Sequence, residues 1–278
     1  MAITRRSFIR IGDTELYYEI NGRGFPIVFI HAGVADHRMW DPQIAAFSRN
    51  FQVICYDMRG YGKSRPTKQP FSHFQDLFEF MKAIGISKAH LVGCSKGGGV
   101  AIDFTLSHPE MVSSVVLVSS APNGFRPQGE FKPPTVWNDA VKAYSDGDLK
   151  RTAELEMQLW LVGVSRKLEE VPEHLRKLVY ELDLIALTNE KQTPPIENPL
   201  QPNAATRIQE LKLPVLLLVG ELDDRPVIAS AEELESKMKW PKRVIKGTAH
   251  LPNLEKPDIF DAEILRFLES LKSSEKKI

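Results

Sequence analysis

The sequence has little that would tie it to a charged polymer. Its 278 residues carry 36 Lys and Arg against 36 Asp and Glu, for no net charge. That balance argues against a nucleic-acid or anionic-membrane partner held by bulk charge. Cysteine is nearly absent. Cys55 and Cys94 are the two present, and each closes a β-like run, FQVIC and AHLVGC. Such a pair builds no disulfide framework and suits a reducing, cytoplasmic compartment. No run approaches the ~18 apolar residues of a membrane helix. The N-terminus mimics a twin-arginine export signal at Thr4-Arg5-Arg6-Ser7-Phe8-Ile9-Arg10. The polar, turn-forming Ile11-Gly12-Asp13-Thr14-Glu15 follows it, where such a signal needs an apolar stretch and a cleavage site. No internal repeat is visible, and the tail SSEKKI reads as a solvated end.

What is present is a series of short apolar runs. PIVFI (26–30), QVICY (52–56), AHLVG (89–93), SVVLVSS (114–120) and PVLLLVG (214–220) are continuous rather than alternating, and RVIKG (243–247) is a weaker one. Runs of this kind fit parallel strands covered on both faces. Helix-period stretches lie between them. Phe74, Leu77, Phe78 and Met81 make one stripe, and Phe260, Ile264, Phe267, Leu268 and Leu271 make another. SFIRI and LYYEI alternate, which predicts an antiparallel hairpin at a sheet edge. The order of elements predicts an α/β fold with a mostly parallel, doubly wound sheet of about eight strands.

Residues 121–205 interrupt this order. They are rich in proline, hold no convincing buried strand, and show amphipathic helical stretches near 137–161 and 171–188. We read 1–120 and 206–278 as the core domain and 121–205 as a helical cap inserted after SVVLVSS. Met157, Trp160 and Leu161 are candidate pocket walls from that insertion. Core packing is the plainer reading of apolar residues at helical spacing.

The stretch LVGCSKGGGVA (91–101) carries the first chemical signal. Gly93-Cys94-Ser95-Lys96-Gly97 fits G-x-S-x-G, the strained strand-to-helix turn that lifts a serine hydroxyl above a sheet. Ser95 holds the apex. Cys94 is the last strand-side residue and should pack inward. A rival motif fails: Tyr61-Gly62-Lys63-Ser64 resembles the end of a phosphate-binding loop, but Asp57 stands where that pattern needs glycine. DMRGYGKS reads instead as a tight structural loop, with Asp57 and Arg59 in local polar contacts.

A hydroxyl needs a base before it becomes a nucleophile. His73, His108 and His174 lie on helix-like stretches and read as surface residues. His90 begins a strand, His31 reads as a structural loop residue, and His37 remains an alternative. His250 differs. It follows RVIKG within GTAHLPNLEKP, at the carboxyl edge that also carries the Ser95 turn. The base needs an orienting acid. Glu221-Leu222-Asp223-Asp224 follows PVLLLVG at the same edge. The segment after SVVLVSS offers no carboxylate, so the acid comes from 221–224; Asp223 is preferred, because a short side chain on the loop's outer turn reaches a histidine at little entropy cost, with Asp224 the alternative. A developing oxyanion needs donors. Lys96 N–H, at a helix N-terminus, is one; Gly33, in the loop His31-Ala32-Gly33-Val34, is the best candidate for the other. The Lys96 cation opposes the helix dipole. Its side chain either snorkels to solvent or packs along the cap, or it meets a carboxylate on the substrate.

With Ser95, Asp223 and His250 in that order, the chain resembles the α/β-hydrolase superfamily. HAG at 31–33, DMRGYGKS, GCSKGG, GELDD and GTAHLPNLEKP carry the likeness over nearly the whole chain. HAGVADHRMWDPQ resembles the corresponding loop of 3-oxoadipate enol-lactonases and related bacterial esterases. Ala32 and Lys96 depart from the usual residues. The resemblance implies a cofactor-free, metal-free serine esterase or lactonase acting on a small molecule. Ser95, Asp223 and His250 would form its triad, with the N–H groups of Gly33 and Lys96 as oxyanion hole. The same triad also suits C–C bond hydrolysis, a lyase reaction, acyl transfer, or ligand binding with vestigial turnover.

Overall fold

The computed structural model describes residues 4–275. In chain order its strands are β1 (Thr4–Ile11), β2 (Thr14–Asn21), β3 (Phe25–Ile30), β4 (Phe51–Tyr56), β5 (Ala89–Cys94), β6 (Val112–Val118), β7 (Val215–Gly220) and β8 (Lys242–Ile245). The helices are α1 (Asp41–Phe47), α2 (His73–Ala83), α3 (Lys96–Ser107), α4 (Thr135–Asp146), α5 (Leu149–Met157), α6 (Glu173–Gln192), α7 (Ala204–Arg207), α8 (Arg225–Met238), α9 (Pro252–Glu255) and α10 (Pro257–Glu275). The tail expected as a solvated end is helical up to Glu275, and its remaining residues lie outside those described.

The strands form one sheet in the order β1-β2-β4-β3-β5-β6-β7-β8. Every pair from β4 to β8 is parallel. The alternating segments form the antiparallel hairpin β1–β2 at the edge, and Arg5 and Arg6 of the signal-like stretch pair with Ile20 and Glu19. The continuous apolar runs have a simple cause. Val28, Ile30 and Leu91 pack on one face of the sheet with Leu77 and Phe80 of α2 and Val100 and Phe104 of α3. Ile27, Phe29, Val92 and Cys94 pack on the other with Phe47 of α1 and Phe260, Ile264 and Leu268 of α10. A strand covered on both sides has no solvent face to mark with polar residues. Each fully buried side chain of this size contributes about 1.5–3 kcal/mol.

Between β6 and β7 the chain makes a helical excursion, α4 to α6. The stretch expected as one helical piece over 137–161 is two helices and a π turn, Gln158–Val162. Gly147 breaks it: its φ of 82° ends α4 in the left-handed conformation that glycine adopts freely. Asp148 then starts α5, its carboxylate accepting the Arg151 N–H at 3.0 Å. Met157, Leu161, Val179 and Leu182 of the excursion join the second core layer. Beyond α6 the chain runs beside the segment leading into α2. Phe71 N–H donates to Ile196 O at 3.0 Å, and Asn198 N–H donates to Phe71 O at 2.7 Å. Among the described residues, no helix is long and apolar enough to cross a membrane.

Candidate active site

Ser95 stands between the last residue of β5 and the first of α3, with φ 51° and ψ −116°. A non-glycine residue held there stores about 1–3 kcal/mol of strain, and the surroundings must enforce it. They do so by contact and by hydrogen bond. A Cβ on Gly93 would lie 2.4 Å from Gly97 O, and one on Gly97 would lie 2.3 Å from Ile30 O. No larger residue fits at either position. Ser95 N–H donates to Val118 O at 2.9 Å, and Ser95 O accepts Ser120 Oγ–H at 2.7 Å. The hydroxyl-bearing residue is half-buried while Gly93, Cys94 and Gly97 around it are buried. Burial pushes the Cys94 thiol well above its usual range, so it stays a protonated, inert packing group.

The loop after β7 brings Asp223 to the histidine loop. His250 Nδ1 lies 2.8 Å from Asp223 Oδ1 and 3.1 Å from Oδ2, and both side chains are buried. Asp224 does other work: its carboxylate accepts the Arg225 N–H at 2.9 Å and caps α8. With Nδ1 facing a carboxylate, His250 carries its proton there and leaves Nε2 as the basic nitrogen. The Cys94 thiol reaches His250 O at 3.9 Å, so the serine turn and the histidine loop are in contact. Two ties fix that loop. His250 N–H donates to Trp160 O at 3.1 Å, and the indole lies 4.6 Å from the imidazole. Glu255 accepts both the Ala249 N–H at 2.7 Å and the Arg166 guanidinium at 2.6 Å. Gly33 lies against the Lys96 side chain, where an added Cβ would be 3.7 Å from Lys96 Cβ. The structure therefore gathers Ser95, Asp223, His250, Gly33 and Lys96 at one edge of the sheet.

A sequence profile of the family described as alpha/beta hydrolase fold matches residues 26–257. The chain belongs to that family. It is 24% identical over 268 residues to 3-oxoadipate enol-lactonase 1 of Acinetobacter baylyi, covering 94% of this chain and 96% of the relative. It is 27% identical over 267 residues to carboxylesterase YbfK of Bacillus subtilis, covering 93% of this chain and 85% of the relative. The crystal structure of the Burkholderia xenovorans LB400 enol-lactonase superposes with a TM-score of 0.72 at 22% identity, covering 95% of this chain and 100% of that one.

Within this alpha/beta hydrolase the remaining histidines fall into distinct environments. His31 is buried and neutral. Met58 N–H donates to its Nε2 at 2.9 Å, its Nδ1–H donates to Ala32 O at 2.8 Å, and burial drives its pKa down. His37 Nδ1 lies 2.6 Å from Asp57 Oδ1, and Nε2 lies 3.6 Å from Glu19 Oε1. Burial opposes its charge, but Asp57, Asp36 and Glu19 outweigh that and raise its pKa. Asp36, His37 and Asp57 have the spacing of a metal site, but the donor set does not suit an ion. The Arg38 guanidinium grips the Asp36 carboxylate at 2.6 Å, and Asp57 already accepts the His37 and Lys63 N–H groups at 2.8 Å each. Asp57 thus organises its loop locally. Arg59 reaches farther than expected, to Asp76 and Asp13 at 2.8 Å each.

His73 is a correction. It was expected on the surface, but it is 6% exposed. The 196–198 segment covers the start of α2, and Phe71 lies 4.9 Å from the His73 ring. His108 also departs from that expectation in part, since it stacks on Phe78 at 4.0 Å. A cavity of about 280 Å³ lies beside Lys96, bounded by Arg59, Tyr61, His73, Glu190 and Glu197. Of the candidate pocket walls, Met157 and Leu161 are buried in the second core layer. Trp160 is half-buried and lines a groove with Trp137 and Asp224. Glu197, Ser120 and the Arg166–Glu255 pair escaped the sequence reading. Each acts on a partner distant in the chain, and only Glu255 sat inside a recognised motif.

Proposed function

We propose that the protein is a serine hydrolase of small carboxylic esters or lactones, with Ser95 as nucleophile, His250 as base and Asp223 as its orienting acid. The observation that carries this reading is a half-buried serine forced into a left-handed apex beside a buried histidine–aspartate pair. Ser95 Oγ attacks the carbonyl carbon while His250 Nε2 takes its proton. The carbonyl oxygen becomes an oxyanion and is received by the N–H groups of Lys96 and Gly33. Collapse expels the alkoxide, which leaves with the proton from His250. Water, deprotonated by His250, then cleaves the acyl-enzyme, releases the acid and restores the serine. The excursion over 121–205 serves as the cap that walls the substrate. The enol-lactonase and carboxylesterase relatives support the ester or lactone class.

The test is covalent labelling by a fluorophosphonate, mapped by peptide mass, beside a panel of p-nitrophenyl esters and lactones. A single adduct on Ser95, absent in Ser95→Ala together with turnover, is expected. Labelling elsewhere, or turnover that survives Ser95→Ala, overturns the reading. Product partition with an added alcohol separates hydrolysis from acyl transfer.

A further inference from the structure

The cavity beside Lys96 holds two cations, and both are already engaged. Arg59 is gripped by Asp76 and Asp13, with Thr67 at 2.7 Å from its Nη1, and its guanidinium lies over the Phe71 ring at 4.6 Å. Lys96 Nζ lies 2.5 Å from Glu197 Oε1, and 5.6 Å from the centre of the Tyr61 ring. His73 Nε2 lies 3.3 Å from the same Glu197 oxygen. Burial pushes the His73 pKa down, so the ring is neutral near pH 7 and the charge opposite Glu197 is that of Lys96. Burial pushes the Glu197 pKa up, yet these two neighbours outweigh it and hold its carboxyl down at about 2. The pair is ionised, half-buried and shared between the nucleophile helix and the chain returning from the excursion.

We propose that Glu197 is a specificity-determining residue: by taking up the Lys96 charge it fits the cavity beside Lys96 to an uncharged substrate arm and turns away arms that end in a carboxylate. The inference rests on Ser95 being the nucleophile. Among the described residues lining the cavity, no cation is left to receive an anion, and Glu190 and Glu197 both face an arriving carboxylate. Displacing Glu197 from Lys96 would strand a partly buried charge, a more costly exchange than leaving the pair intact. The other walls include Tyr61, Phe71, Pro66, Pro195 and Ala186. They suit an apolar acyl chain or ring. The sequence had left Lys96 solvated, packed along the cap, or waiting for a substrate carboxylate. The carboxylate it meets comes from its own chain.

The experiment compares p-nitrophenyl pentanoate with mono-p-nitrophenyl glutarate, which differ in the charge at the chain end. The wild-type protein should prefer the pentanoate in kcat/KM. Glu197→Gln frees the ammonium, and the glutarate-to-pentanoate ratio should rise by tenfold or more, since removing like-charge repulsion and exposing a cation act in the same direction. The double variant Lys96→Met/Glu197→Gln should bring the ratio back towards wild type. Equal or better wild-type turnover of the glutarate overturns the proposal, as does a parallel change for both esters in Glu197→Gln. If Glu197→Gln melts before assay, the wild-type ratio and the double variant decide. Ser95→Ala is the control: if it still turns over both esters, the nucleophile has been misassigned, which is a separate failure from an unmoved ratio.

Discussion

Two buried histidine–aspartate pairs sit in this fold, and they are chemically opposite. In one, His250 Nδ1 meets Asp223 at 2.8 Å, and an indole faces the ring at 4.6 Å. In the other, His37 Nδ1 meets Asp57 at 2.6 Å, with Glu19 at 3.6 Å and Asp36 at 3.7 Å from its nitrogens. Distance and burial do not tell them apart; the surroundings do. Several carboxylates outweigh burial and raise the pKa of His37, which favours the form whose two nitrogens both donate. His250 meets a single carboxylate, Asp223, through Nδ1. A histidine–carboxylate contact therefore marks a candidate base only when the second nitrogen has no acid of its own.

Breaking each pair separately tests that distinction. His250→Ala should lower kcat by about 10⁴–10⁶, as expected when one member of a cooperating triad is lost, with the melting temperature little changed. His37→Ala should do the reverse. Removing one partner of a buried pair costs about 3–5 kcal/mol, read by denaturant unfolding, while the folded fraction keeps its turnover. A folded but inactive His37→Ala would erase the contrast. A smaller effect comes from pH. The folded pKa of His37 lies above its ordinary value of 6.5. Its stabilising contribution is therefore complete below about pH 6.5 and lost as pH rises through the higher folded value. Thermal melts of the wild type against His37→Gln across that window should show the slope only in the wild type. The smallest effect is Tyr17→Phe. It deletes the O–H bond to Glu19 at 2.7 Å and should cost about 1 kcal/mol, with unchanged kcat.

The order and location of the strands were legible because burial on both faces writes itself into composition. The serine turn was legible because its glycines are steric necessities within five consecutive residues. Asp223 and His250 followed from topology, since strand ends share one edge. The divided helix over 137–161 was missed because a single glycine inside an amphipathic run carries little weight by pattern alone. His73 was misread because its cover comes from residues 196–198, far along the chain. Glu197 was invisible for the same reason: an isolated acid between prolines shows nothing of the lysine it will meet.

The ties between Trp160, Arg166 and the histidine loop bear on how the excursion can move. Its 160–166 stretch is fastened to the His250 loop, through Trp160 O to His250 N–H and through Arg166 to Glu255. Lifting that stretch off the histidine loop would break both ties and disturb the backbone that carries the imidazole. The far side of the excursion is laced as well, through Phe71 to residues 196 and 198 and through Lys96 to Glu197, so the segment is anchored to the core at both ends of its span.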